Sequence, residues 1–254
     1  MSVKLYAMTC GHLTGQLGRL MEGGEGEVRL PIPAYLIEHP KGTALFDTGI
    51  HPDCQHDPKS RAGERIAGLF GFDYHSGEDV AARLRTLGRD PEKIDLVVNS
   101  HLHFDHVGGN ATIPNATVVV QRQEWAAGQD PEIAAARGFD RRDYDLGHKL
   151  KLVDGEHDLF GDGSVVLLPT FGHTPGHQSL KLRLPRGDVV LAADACYFCQ
   201  TLAERRLPLR VHDRAEMHRS LERLAALQAQ GARIFFGHDI EFWKTVPQAP
   251  AAIV

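Results

Sequence analysis

The chain has 254 residues and a formal charge of −5, with 28 Lys and Arg against 33 Asp and Glu, so it offers no basic face to a polyanion and nucleic acid is not an expected partner. At 42% hydrophobic and 24% charged residues it has the composition of an ordinary globular protein, long enough to bury a sizeable core without a metal or disulfide to hold it together. Its four cysteines are too few and too irregularly spaced for a disulfide framework, and the opening MSVKLYAMTCGHLTG has the pattern of neither a signal peptide nor a membrane span. We therefore expect a cytoplasmic protein with no membrane partner; the sequence is compatible with a homodimer.

In chain order, residues 3–8 (VKLYAM), 33–39 (PAYLIEH) and 43–49 (TALFDTG) read as successive strands of an opening sheet. Residues 51–75 are the least regular part and read as a loop over one end. Helical spacing of apolar residues, a cap at Ser76 and a terminal Gly88 predict a helix over 76–88, which leads into a strand at 94–100 (IDLVVNS). Strands follow at 164–170, 179–185 and 188–194, then a helix over 214–231 and a last strand within 232–239 (ARIFFGHD). No low-complexity tract or Pro/Gly/Ser linker divides the chain, so one domain over 1–254 is expected. The mixed order suggests an α+β class, with two sheets packed face to face and helices outside.

Residues 100–109, SHLHFDHVGG, place three histidines and an aspartate within six positions. Crowding imidazole and carboxylate into a folded interior needs a compensating charge that the chain itself does not supply. Four patches fall at the C-terminal ends of expected strands: His101, His103, Asp105 and His106; then His173; then Asp194; then His238. Five histidines and two aspartates are too many ligands for one divalent ion and the right number for two. An extended HLHFDH segment puts His101, His103 and Asp105 on one side, and the turn at Gly108 and Gly109 lets His106 swing in beside them. One ion would be held by His101, His103 and His173 and the other by Asp105, His106 and His238, with Asp194 the candidate to be shared between them. Asp47, at a strand-to-turn junction, is expected to orient a ligand imidazole. Mixed nitrogen and oxygen ligands suit two zinc ions (Zn2+), and the same set accepts cobalt, manganese or iron.

SHLHFDHVGGN, with GHTPGHQSL, AADACY and FFGHD downstream, resembles the metallo-β-lactamase superfamily across nearly the whole chain, and within it the N-acyl homoserine lactone lactonases. The resemblance implies a four-layer αββα sandwich and a dinuclear zinc site. It also implies hydrolytic opening of a homoserine lactone ring, the reaction that silences acyl-homoserine signals between bacteria, with the small-molecule lactone as partner. Tyr197, three residues after Asp194, is by the same resemblance a residue that reaches the substrate. A water shared by two divalent ions ionises near neutral pH, and the resulting hydroxide attacks the lactone carbonyl. By the same resemblance one ion and the Tyr197 hydroxyl would stabilise the growing oxyanion, and Asp105 is the candidate to carry a proton to the leaving ring oxygen.

Phe104, wedged between ligands, is expected to touch the substrate, and Met21, Leu69, Phe70 and Phe72 can line a groove with it for an acyl chain. His177, at the start of a strand, is expected to make a structural hydrogen bond, and Cys196 and Cys199, a C-x-x-C pair with no second pair, to be packing residues. The nearest alternative is a thioesterase of the glyoxalase II type, or another esterase of the same fold. A glutathione thioesterase calls for a basic pocket and a helical extension, for which the residues after His238 are few.

Overall fold

The computed structural model describes residues 3–254. Its strands are β1 (Lys4–Gln16), β2 (Glu27–His39), β3 (Gly42–Phe46), β4 (Gly71–Asp73), β5 (Leu96–Val98), β6 (Thr117–Gln121), β7 (Leu150–Val153), β8 (His157–Asp158), β9 (Val165–Pro169), β10 (Gln178–Leu184), β11 (Gly187–Ala193) and β12 (Arg233–Phe236). They form a seven-stranded sheet in the order β4-β1-β2-β3-β5-β6-β7 and a five-stranded sheet in the order β12-β11-β10-β9-β8. In the first, β1 to β3 pair antiparallel, with Tyr35 opposite Phe46, while β3, β5, β6 and β7 run parallel. In the second, β8 to β11 are antiparallel and β12 runs parallel to β11.

The layers follow from which residues alternate along each strand. Leu5, Tyr35, Ile37 and Phe46 of the first sheet meet Leu167, Leu180, Leu182, Leu191 and Phe235 of the second in one buried cluster. The residues between them are apolar as well and face outward. Leu36, Leu45, Val97 and Val118 pack with Val80 and Leu84 of the helix Val80–Thr86. On the far side, Val190, Ala192, Ile234 and Phe236 pack with Met217, Leu221 and Leu224 of the helix Arg214–Ala229. Strands apolar on both faces must be covered on both. The result is the αββα sandwich, with helices outside two central sheets.

Several boundaries differ from the expectation, each for a local reason. β1 continues to Gln16 and β2 begins at Glu27, because a register shift between Thr9 and His12 lets the pairing run on past Gly11. The helix expected over 76–88 is capped by Asp79 and not Ser76: the Asp79 carboxylate accepts from Ala82 N at 2.9 Å, the helix is Val80–Thr86, and Gly88 at φ 68° lies beyond its end. Residues 117–153 carry β6, β7 and the intervening helices Arg122–Gln129, Pro131–Arg137 and Arg141–Tyr144, none of which the sequence pattern marks out.

The stretch 51–75 is not a loop. It holds a 3-10 turn at Pro52–Gln55, the helix Pro58–Leu69 and strand β4. Its weak apolar pattern has a cause in the fold: no side chain of that helix is fully buried, and Gly63 breaks it at φ 85°, ψ 157°. An ion pair between the partly buried Arg61 and the buried Asp143 does the anchoring, with Arg61 Nη2 at 2.5 Å from Asp143 Oδ1, while Arg142 Nη2 donates to Arg61 O at 3.1 Å. Burial pushes Asp143 up to about 6 against the pull of Arg61. Among the described residues no helix is long and apolar enough to cross a membrane.

Leu180 sits in the inter-sheet layer with no exposed surface. Leu180→Ala is expected to destabilise the fold by about 2–5 kcal/mol through lost burial and the cavity left behind, measured as a shift in the urea unfolding midpoint.

Candidate metal centre

The C-terminal ends of β3, β5, β9, β11 and β12 open onto one edge of the sandwich, and the candidate ligands follow directly after four of them. From β5 the chain stays extended through His103 and then turns into a short helix, Phe104–Val107. Asp105 and His106 therefore sit on a helical turn. The expected continuous extended segment ends two residues before Asp105, because the His103 carbonyl accepts from both His106 N (3.0 Å) and Val107 N (3.1 Å). Gly108 and Gly109 serve close packing and do not swing His106 in. A Cβ on Gly109 would lie 2.2 Å from Thr48 O, and one on Gly108 2.4 Å from His51 N.

The seven candidates come together in two groups. His101, His103 and His173 meet with Asp194, and Asp105, His106 and His238 meet beside them, the ligand atoms of each group lying within 4.8 Å of one another. In the first, His103 Nδ1 is 2.9 Å from His101 Nε2 and 3.0 Å from His173 Nε2. In the second, Asp105 Oδ2 is 3.8 Å from His106 Nε2 and 3.9 Å from His238 Nε2. Asp194 faces both: Oδ2 is 3.2 Å from His173 Nε2, and Oδ1 is 3.2 Å from His106 Nε2 and 3.0 Å from His238 Nε2.

Outer partners fix which nitrogen of each ring points inward. His101 Nδ1 pairs with Ser100 Oγ at 2.9 Å, His103 Nε2 donates to Arg137 O at 3.0 Å, His106 Nδ1 donates to Asp47 Oδ2 at 2.8 Å, and His238 Nδ1 donates to Pro31 O at 2.9 Å. With those contacts outside, the inner nitrogens and the Asp194 and Asp105 oxygens face one another across the centre. His106 Nε2 and Asp194 Oδ1 are buried without a hydrogen-bond partner despite their proximity. Such a set fits a pair of divalent cations, which would satisfy these atoms together. The protein thus contains a dinuclear metal-binding site.

Electrostatics divide the two groups. Burial lowers His101 and His173 well below the usual histidine value and also lowers His103, keeping these rings neutral. Burial opposes charge on His106 and His238 too, but there the neighbouring carboxylates outweigh it, Asp194 first, and raise both.

Backbone strain marks the same places. Asp47 (φ 58°) and Ala193 (φ 45°) both adopt the left-handed region that non-glycine residues rarely occupy. Asp47 accepts from Ser100 N at 2.7 Å and Ser100 Oγ at 2.8 Å as well as from His106, so one carboxylate braces two ligand-bearing turns. Ala193 lies at a register irregularity between β11 and β12 that delivers Asp194. The Asp194 N–H then donates to His177 Nε2 at 3.1 Å, and His177 Nδ1 pairs with Thr170 Oγ1 at 2.9 Å. Burial lowers His177 to about 3, so it stays neutral and accepts; it has the structural role expected of it.

Tyr197 is buried beside the centre, its hydroxyl 3.5 Å from His173 Nδ1. Burial and the nearby Asp194 and Asp105 carboxylates raise it well above the usual phenol value, so it remains a hydrogen-bond donor. Phe104 packs against Phe70 and Phe72, ring centroids 6.3 and 6.0 Å away, and Met21 lies in the same apolar cluster; Leu69 is half-buried outside it. Cys196 is buried and Cys199 exposed, and neither joins a metal group among the described residues. Two contributors carry no signal in the sequence: Ser100, which links Asp47 to His101, and Glu124, described below. A lone serine ahead of the motif and a glutamate in a helix have no pattern that sets them apart.

The fold and the donor set define a protein built around a two-cation centre at the ends of its strands. A family model described as the metallo-beta-lactamase superfamily matches residues 28–238. The chain is 33% identical to the N-acyl homoserine lactonase AttM of Azorhizobium caulinodans, over 98% of this chain and 97% of that one. It is 31% identical to the N-acyl homoserine lactonase AiiA of Bacillus thuringiensis subsp. kurstaki, over 89% of this chain and 88% of that one. It superposes with a TM-score of 0.89, at 29% identity and over 100% of both chains, on an N-acyl homoserine lactone hydrolase solved with the product N-hexanoyl-L-homoserine bound at its catalytic metal center. The chain belongs to the metallo-beta-lactamase superfamily and, within it, to the N-acyl homoserine lactonase family.

Asp47→Ala removes the acceptor for His106 Nδ1 and for both Ser100 donors. Metal affinity is expected to fall about 10–100-fold, read by competition with a chromophoric chelator.

Proposed function

We propose that this protein is a metal-dependent hydrolase that opens the lactone ring of N-acyl homoserine lactones, the quorum-quenching reaction. The observation that carries the reading is the meeting of the two ligand groups on the two oxygens of Asp194. Its support from relatives is the match along nearly the whole chain to proteins named for that activity. His101, His103 and His173 are the residues that would hold one ion and Asp105, His106 and His238 the other, with Asp194 shared and zinc as the proposed metal. When bound, such a pair supplies Lewis acidity toward a carbonyl and a water that ionises near neutral pH.

The chain's own groups supply the rest. Tyr197, kept protonated by its burial, donates a hydrogen bond to the lactone carbonyl oxygen as negative charge develops there. The Asp105 side chain retains some exposure at 13%, which leaves its carboxylate able to pass a proton to the ring oxygen as that oxygen departs. Phe104, with Phe70 and Phe72 behind it, presents an apolar wall to the acyl chain. Burial of His101, His106, His173, Asp194 and His238 keeps bulk water from the inner side of the centre.

Incubation with a panel of acyl-homoserine lactones, thioesters and β-lactams, with and without a chelator, tests the reading by acid release. Lactone opening that stops on chelation and returns with zinc is expected; turnover of thioesters alone would assign the chain to the thioesterase class instead. Elemental analysis of the active protein is expected to give two metal ions per chain. Tyr197→Phe is expected to lower kcat by about 100-fold, the size of loss that follows removal of one oxyanion donor, with metal content unchanged.

A further inference from the structure

Glu124, in the first turn of the helix Arg122–Gln129, has no exposed surface and takes no part in the chemistry above. Its Oε1 accepts from Leu102 N at 3.1 Å, between two of the proposed ligand histidines. Its Oε2 accepts from Gly176 N at 2.6 Å, three residues beyond His173. Position 176 tolerates nothing larger than glycine: a Cβ there would lie 2.4 Å from Glu124 N and 2.6 Å from Glu124 Cβ.

The bases of these two loops are already tied by Gln178, whose N donates to Ser100 O at 2.9 Å and whose Nε2 donates to Asn99 O at 2.8 Å. Glu124 ties them nearer the ligands. His173 has the greatest need of such a tie. The other four histidines each have an outer partner within 3.0 Å, whereas the outer nitrogen of His173 has the Tyr197 hydroxyl at 3.5 Å. The position of its ring therefore depends on its backbone. A carboxylate held here is costly, since burial pushes Glu124 up to about 7 and its hydrogen-bond donors are the neutral Leu102 and Gly176 N–H groups. A cost of this kind is retained where the carboxylate has a task.

From this geometry we infer that Glu124 is a positioning residue for the three-histidine half of the metal centre, fixing the loop that carries His173 against the one that carries His101 and His103. The inference rests on the two-ion reading given above.

Glu124→Gln keeps the side chain's size but turns an N–H2 group toward one of the two backbone donors, and Glu124→Ala leaves both donors unpaired. Gln123→Ala is the control: it removes the exposed bond from Gln123 Nε2 to Pro175 O at 2.7 Å, made from the same helix. Each protein is loaded with zinc, its metal counted, its far-UV circular dichroism recorded, and the release of each ion to a chromophoric chelator timed. In folded Glu124→Gln, one ion is expected to leave about 10–100-fold faster than in the wild type while the other keeps its rate, and Gln123→Ala is expected to match the wild type. Unchanged release of both ions, equal acceleration of both, or the same loss in Gln123→Ala would overturn the inference. A wild-type protein that binds fewer than two ions would instead overturn the reading beneath it. If neither Glu124 variant folds, amide exchange in the chelated wild type decides: lasting protection at Leu102 and Gly176 supports the inference, and free exchange at either overturns it.

Discussion

The constraint on which this structure turns is a buried concentration of lone pairs. Ring nitrogens of His101, His103 and His173 approach to 2.9–3.0 Å, with the outer nitrogens of His101 and His103 paired on the outside. No group among the described residues satisfies them. A dry interior makes such an arrangement expensive, and the expense falls away only when positive charge enters. The second rank of contacts, from Asp47, Ser100, Pro31 O and Arg137 O, makes sense as the means of holding rings in a geometry they would not adopt by themselves.

The architecture answers that demand by bringing strand ends together. Parallel strands β3 and β5 finish side by side, and so do β11 and β12, so ligands far apart in sequence start from neighbouring points on rigid elements. The backbone is strained at two of these ends, at Asp47 just past β3 and at Ala193, the last residue of β11. Apolar alternation on both faces of both sheets buries the strands well enough to sustain that strain. Packing and chemistry are thus allotted to different parts of the same strands: the middles to the core, the ends to the site.

Much of this is legible in the sequence. The metal motif identifies the candidate ligands and the strands before them, and the division into two groups around Asp194 follows from counting ligands against coordination number. Asp47 and His177 separate from the ligands by their positions at junctions. The course of the chain between ligands is not legible. Whether Asp105 stands on an extended segment or a helical turn depends on which amides the His103 carbonyl captures, a choice made by packing against Gly49 and Thr48. Glu124 is invisible for the same reason, because its partners are backbone N–H groups, which leave no side-chain pattern in the sequence. The helix in 51–75 is obscured because it buries no complete face, and periodicity signals burial more than it signals helix.

That helix has a further consequence. Pro58–Leu69 is interrupted at Gly63, buries no side chain fully, and is moored through Arg61 to Asp143. An element with so little apolar contact belongs to the low end of the range of local opening free energies, far below the cost of disturbing the sheets. It borders Phe70 and Phe72, which flank Phe104. Fraying of this one peripheral unit would leave the strand ends in register, so that its local opening and the integrity of the cation cage are separate equilibria.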